Sequence, residues 1–252
     1  MILVFSSQGV VQPWYLPEWA IPSATLAVWL YSCLLLLILL FILGCATLLL
    51  TPVLLLFYLY FFLLNLAVKD SAYDRLNLIF LFISCFAELD AAWSLAPTFV
   101  KHPGQIKLIT PWAARLIGWQ LCLLYLGAGL WKLHSPQWHE SQFMYWTLIG
   151  VWASELSFWF VNLGWPMWFY GLIGWSVIVF ELAAPLTFHL RSTLKATIVL
   201  GILFHVGIAV FLNIPEFFNC VAAYALFWPP DELAKLGDKV ASLIVKSPRA
   251  PQ

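Results

Sequence analysis

The chain has 252 residues, 63% of them hydrophobic and only 10% charged, with a formal net charge of zero. A soluble domain of this size carries roughly 25% charge, so a water-soluble enzyme is excluded. The neutral balance leaves no electrostatic footprint for nucleic acid or an acidic partner. The partner that this composition demands is the lipid bilayer.

Residues 19–68 contain no Asp, Glu, Lys, Arg or His, which leaves room for two crossings at about 20 residues each. Residues 1–20 read as a polar N-terminal segment. They have no basic stretch ahead of an apolar one, so no cleaved signal peptide is expected. The first helix is predicted over Ser23–Leu43 and the second over Leu50–Val68, separated by Gly44 and Pro52. A third runs from Asp74 to Leu95 and carries Glu88 and Asp90. A fourth covers Pro111–Leu133, with proline in its first turn.

Between Glu140 and Glu155 too few uncharged residues remain for a crossing. The stretch Trp138–Leu163 holds Trp146, Trp152 and Trp159, residues that favour the headgroup zone. It reads as one interfacial or re-entrant helix. A fifth crossing is predicted over Trp165–Phe188 and a sixth over Thr193–Leu212. Asn213–Trp228 is a short candidate seventh. From Pro229 the chain reads as a surface helix.

The expected fold is therefore all-α: a polytopic integral membrane bundle of six or seven transmembrane helices plus an interfacial helix. Residues 21–230 form one transmembrane domain and 231–252 a polar tail. The five cysteines lie in or beside apolar segments and read as small core residues. No metal, nucleotide or serine-hydrolase motif appears.

Basic residues sort nine against three across the membrane, with Lys69, Arg75 and Lys132 in the minority. If Trp138–Leu163 stays out of the bilayer, Lys132 falls on the extracytoplasmic side, the placement we expect. Letting that segment cross gives the same count with Lys132 inside.

Lys132 ends an apolar, glycine-bearing run, Leu124-Tyr-Leu-Gly-Ala-Gly-Leu-Trp-Lys-Leu-His134. One reading is a snorkelling lysine with its head at the interface. The other is an amine desolvated by Leu130, Trp131 and Leu133 and able to act as a base. His205 lies mid-helix and reads either as a histidine satisfied by a neighbouring helix or as a ligand or proton-relay group. Gly201, four residues earlier, allows close approach of a partner. Glu181 reads as a structural pairing residue. Glu88 or Asp90 is expected to pair with Arg115 or Lys132. Asp74 and Arg75 read as helix cap and interface charge.

The run Tyr125-Leu-Gly-Ala-Gly-Leu-Trp-Lys-Leu-His-Ser-Pro-Gln-Trp138 resembles the horizontally transferred transmembrane domain, the membrane portion shared with vitamin K-dependent gamma-glutamyl carboxylases. Trp93-Ser94, Glu181-Leu-Ala-Ala-Pro185 and Phe204-His205 resemble further family stretches. The resemblance covers about residues 20–230. It implies a catalytic base at Lys132 that deprotonates a reduced quinone, vitamin K hydroquinone or menaquinol, with oxygen as co-substrate.

It also implies quinol-binding roles for His205, Trp131 and Trp93. Asp74 and Arg75 take the place of an Asn-His pair that helps hold quinol in the carboxylases. The large lumenal domain that binds the glutamate-rich substrate has no counterpart here. A carboxylase-like or epoxidase-like enzyme acting on a peptide or protein is therefore one reading. A non-catalytic membrane factor for maturation or export of a secreted peptide, a role also found in the family, is the other. A transporter has the least support, since no inverted repeat is visible. Substrate and oligomeric state are not legible in the sequence.

Overall fold

A computed structural model describes residues 5–6, 9–10, 13–66, 72–87, 89, 111–229, 232 and 235. Glu88, Asp90, Trp93 and most of the polar tail lie outside the described residues. Apart from a two-residue antiparallel pairing of β1 (Phe5–Ser6) with β2 (Gly9–Val10), the described elements are helical. The chain divides into two compact units, residues 1–117 and 118–252.

The first unit is built on a helical hairpin, α1 (Ala24–Ile42) and α2 (Thr47–Asn65). Ser23 caps α1 by accepting the Leu26 N–H, as expected of a short hydroxyl residue ahead of an apolar run. The reversal between the helices uses left-handed backbone at Gly44 (φ 72°) and Ala46 (φ 46°). Helix α2 therefore begins at Thr47 rather than Leu50 and contains Pro52. One residue before that proline, the buried Thr51 hydroxyl donates to the Thr47 carbonyl at 2.7 Å and so satisfies itself within the helix.

Leu34, Leu54, Phe61 and Leu64 lock the hairpin. The Tyr15 and Tyr60 hydroxyls donate to the carbonyls of Leu63 and Ala20 and tie the preceding segment to α2. Leu35, Leu36, Leu39 and Ile42 stay exposed along α1, a lipid-facing surface. Cys33 is exposed as well, not in the core as expected. Helix α3 is described over Ala72–Ser84, and the last part of its expected span falls outside the described residues.

In the second unit α4 (Trp112–His134), α7 (Met167–Thr187) and α8 (Leu194–Leu212) match the expected spans within two residues. Together with α1 and α2 they make five described helices long and apolar enough to cross a membrane. The expected single helix at Trp138–Leu163 is instead two short ones, α5 (Ser141–Ile149) and α6 (Glu155–Asn162). The break follows from Gly150, whose backbone is extended (ψ −167°), and from Ser154, which caps α6 by accepting the Ser157 N–H at 3.1 Å. The Ser157 hydroxyl then donates back to the Leu148 carbonyl at 2.6 Å and closes the hairpin. Residues 213–228 are not one long helix: they run through a 3-10 turn (Pro215–Phe217), α9 (Phe218–Ala223) and a second 3-10 turn (Tyr224–Phe227), and they come back beside α8 until Trp228 reaches Lys195.

Helices α4 and α7 run antiparallel, and their contacts form a ladder. Trp119 meets His189, the Cys122 thiol lies 3.9 Å from the Pro185 carbonyl, and Lys132 meets Glu181. Past the end of α4, His139 stacks on Trp175 and Tyr145 packs edge-on against Tyr170. The chain from α4 through α5 thus follows α7 along most of its length, with a break at Ser135–Glu140.

Candidate functional site

Glycine decides how closely α4 approaches α7. A Cβ on Gly129 would sit 2.9 Å from the Leu182 side chain and 3.1 Å from its backbone nitrogen. With only hydrogen there, the two backbones meet, and one turn later Lys132 reaches Glu181. Its ammonium donates to both carboxylate oxygens, at 2.6 and 2.7 Å. The side chains are 15% and 6% exposed. The Trp138 ring covers the cation, with its centroid 5.0 Å from Nζ.

This answers the question left by the lysine at the end of α4. Glu181 lies six residues before the end of α7 and fourteen after its start. At 1.5 Å per residue the pair sits about 9 Å in from one end of that helix and about 21 Å from the other. Lys132 is therefore paired with a buried carboxylate, and Glu181 is a pairing residue whose partner is this lysine. Trp131 is 61% exposed, and the ring over the amine is that of Trp138. An ammonium has three donors, and two are spent on Glu181.

A second polar cluster lies one heptad back on the same face of α4. The Tyr125 hydroxyl is 2.7 Å from His205 Nε2 and also hydrogen-bonds the Tyr224 hydroxyl. All three side chains are buried. Gly201 admits the close approach expected of it, since a Cβ there would fall 2.5 Å from the Tyr224 hydroxyl oxygen. Phe180 and Phe188 pack on Tyr125, and Phe204 meets the His205 ring edge-on. Sequence reasoning passed over both tyrosines. The spacing of Tyr125, seven residues before Lys132, was an available signal, whereas nothing in the run around Tyr224 marks it.

Two buried nitrogens, His205 Nδ1 and Trp138 Nε1, find no hydrogen-bond partner among the described residues. Asp74 and Arg75 belong to the first unit. Asp74 is buried and accepts from the Tyr58 hydroxyl at 2.6 Å, and Asn77 donates to that hydroxyl at 3.0 Å. Arg75 is exposed. Trp93 lies outside the described residues. The structure thus brings Lys132 and His205 into one unit, Lys132 paired with Glu181 and His205 with Tyr125.

Helices able to cross a membrane, with an ion pair buried between two of them, define a multi-pass integral membrane protein that keeps charge within its bundle. The chain belongs to the HTTM domain family, whose model matches residues 7–231. That domain is associated with the membrane part of vitamin K-dependent carboxylases. Comparison with curated proteins and with solved structures found no match.

Proposed function

We propose that the protein is a carboxylase-like membrane enzyme that uses a reduced quinone and oxygen, with the Lys132–Glu181 pair as its base. The observation that carries this reading is the pair itself. A carboxylate and an ammonium buried together in an apolar bundle hold a proton acceptor and a cation side by side, and intramembrane ionisable groups commonly mark sites of proton chemistry.

The residues present fit the cofactor class. The two unpartnered buried nitrogens, His205 Nδ1 and Trp138 Nε1, suit a ligand that brings oxygen atoms on a flat apolar ring. A reduced quinone supplies the electrons that reduce oxygen. The chain supplies the proton acceptor: a proton leaving a phenol-type hydroxyl ends on the pair, leaving Lys132 as ammonium and Glu181 as carboxylic acid. The remaining Lys132 N–H is available to hold the oxygen from which the proton departed. The aromatic walls exclude water and strengthen both interactions.

The test is quinol consumption under oxygen by purified protein, supplied with reduced vitamin K or menaquinol. Wild type is compared with Lys132→Met and with the charge-free double variant Lys132→Met/Glu181→Gln, which keeps the bundle from burying a lone charge. Turnover in wild type that is lost in both variants supports the reading. Absence of turnover in folded wild type overturns it and favours the non-catalytic maturation or export factor.

A further inference from the structure

Two histidines of the second unit, His134 and His189, make a local bond that His205 does not. In α4 the His134 Nδ1–H turns back to the Leu130 carbonyl at 2.8 Å, and after α7 His189 does the same to Pro185 at 2.8 Å. This is the local bond available to a helical imidazole with no better partner. His205 does not make it. Its Nε2 is engaged by Tyr125 at 2.7 Å, and its Nδ1 is left without a partner although the residue is only 2% exposed.

Counting hydrogens along the chain Tyr224–Tyr125–His205 fixes its direction. If Nε2 carried the hydrogen and donated to Tyr125, then Tyr125 would donate to Tyr224. The buried Tyr224 hydroxyl would then have no acceptor of its own among the described residues, and Nδ1 would be an unmet lone pair. In the other direction Tyr224 donates to Tyr125, Tyr125 donates to Nε2, and both hydroxyls are satisfied. The hydrogen of the imidazole then sits on Nδ1. Because unmet buried polar groups are unfavourable, the second direction is the stable one.

We propose that Tyr125 and Tyr224 are positioning residues that lock His205 in its Nδ1–H form, so that Nδ1 presents a donor to an acceptor oxygen on a bound ligand. The faces around the imidazole set the ligand's shape. Phe217 lies nearly parallel to the ring (23°) and Phe204 stands edge-on to it, so the surroundings are aromatic and the feature that selects a ligand is the unpartnered Nδ1, which calls for a carbonyl or phenolic oxygen. This assignment rests on the quinone reading above and adds to it the groups that orient the ligand. Tyr125 lies one heptad before Lys132 on the same face of α4, so the helix that carries the base also carries the residue that fixes the His205 tautomer.

The test combines two readouts on full-length protein in detergent. Imidazole 15N NMR of His205 reads the tautomer without any ligand, and quenching of tryptophan fluorescence by menadione, a simple naphthoquinone, reads binding. In wild type Nδ1 is the protonated nitrogen and menadione quenches saturably. Tyr125→Phe mixes the tautomers and weakens menadione on the order of fivefold or more, the scale of one hydrogen bond. His205→Asn, which keeps an N–H near the Nδ1 position, binds better than His205→Gln, which keeps one near Nε2.

An Nε2-protonated wild type, or equal binding by wild type and a folded Tyr125→Phe, overturns the positioning role. Saturable binding in wild type with no preference between Asn and Gln overturns the donor assignment alone. No menadione binding in a wild type that shows the Nδ1–H form overturns the quinone reading and, with it, the ligand class proposed here.

Discussion

Moving a carboxylate from water into an apolar bundle is unfavourable unless a cation and hydrogen bonds meet it there. Glu181 has both from Lys132, and the consequence at the scale of residues is asymmetric. Lys132→Met leaves a buried carboxylate without its partner and is expected to destabilise the protein by about 3–5 kcal/mol. Lys132→Met/Glu181→Gln removes both charges and is expected to recover most of that loss. Thermal unfolding of the two variants in one detergent checks the difference, and equal melting temperatures would show that the pair contributes nothing specific. Of this site, Lys132 and His205 were legible in the sequence because a charge or an imidazole within an apolar run stands out. Their partners were less so. Glu181 was visible as a buried acid but not as the lysine's mate, because the sequence does not reveal the register between two helices. Trp138 lies six residues past the lysine and beyond the end of α4, so helical spacing does not bring it to the amine; the turn at Ser135–Glu140 does.

At the scale of elements, the α4–α7 register depends on small residues placed on one side of α4. Gly129 faces Leu182 at less than ordinary contact distance for a Cβ, whereas a Cβ on Gly127 would meet nothing within 4 Å. Gly129→Ala is therefore expected to destabilise by about 1–3 kcal/mol through overpacking. Gly127→Ala is expected to be neutral or stabilising by up to about 1 kcal/mol, the helix-propensity gain. Denaturation midpoints of the two variants check this, and a Gly129→Ala variant as stable as Gly127→Ala would contradict the close helix approach. The long helices were readable because hydropathy runs of about 20 residues reflect the bilayer itself. The α5–α6 break was not, since its aromatic residues continue past Gly150 without a change in composition. What breaks the helix is one extended glycine followed by a serine cap. Likewise α2 begins earlier than Pro52 suggested, because the turn before it supplies left-handed backbone at Ala46.

At the scale of the molecule, α7 and α8 fix which features lie at opposite ends of the second unit. The Ser154 N–H donates to the Phe211 carbonyl at the end of α8, and the Thr193 hydroxyl donates to the Thr187 carbonyl at its beginning. Val151, 95% exposed at the tip of the α5–α6 hairpin, is thus at the Met167 end of α7, and Arg191 is at the other. In a background lacking the native cysteines, Val151→Cys and Arg191→Cys are expected to react with a membrane-impermeant maleimide from opposite sides of the membrane. Labelling from the same side would mean that α7 does not cross.

The order in which the pair's two halves are made follows from their places in the chain. Lys132 precedes Glu181 by 49 residues, which at 5–20 residues per second is about 2–10 s of translation. During that interval the growing chain carries the cation without its counter-charge. An acidic residue at the centre of a helix disfavours insertion by about 2.5–3.5 kcal/mol, so α7 enters the bilayer more readily when α4 already waits there with a matching charge. Pairing the two charges therefore favours α7 settling against α4 once both helices are in the bilayer.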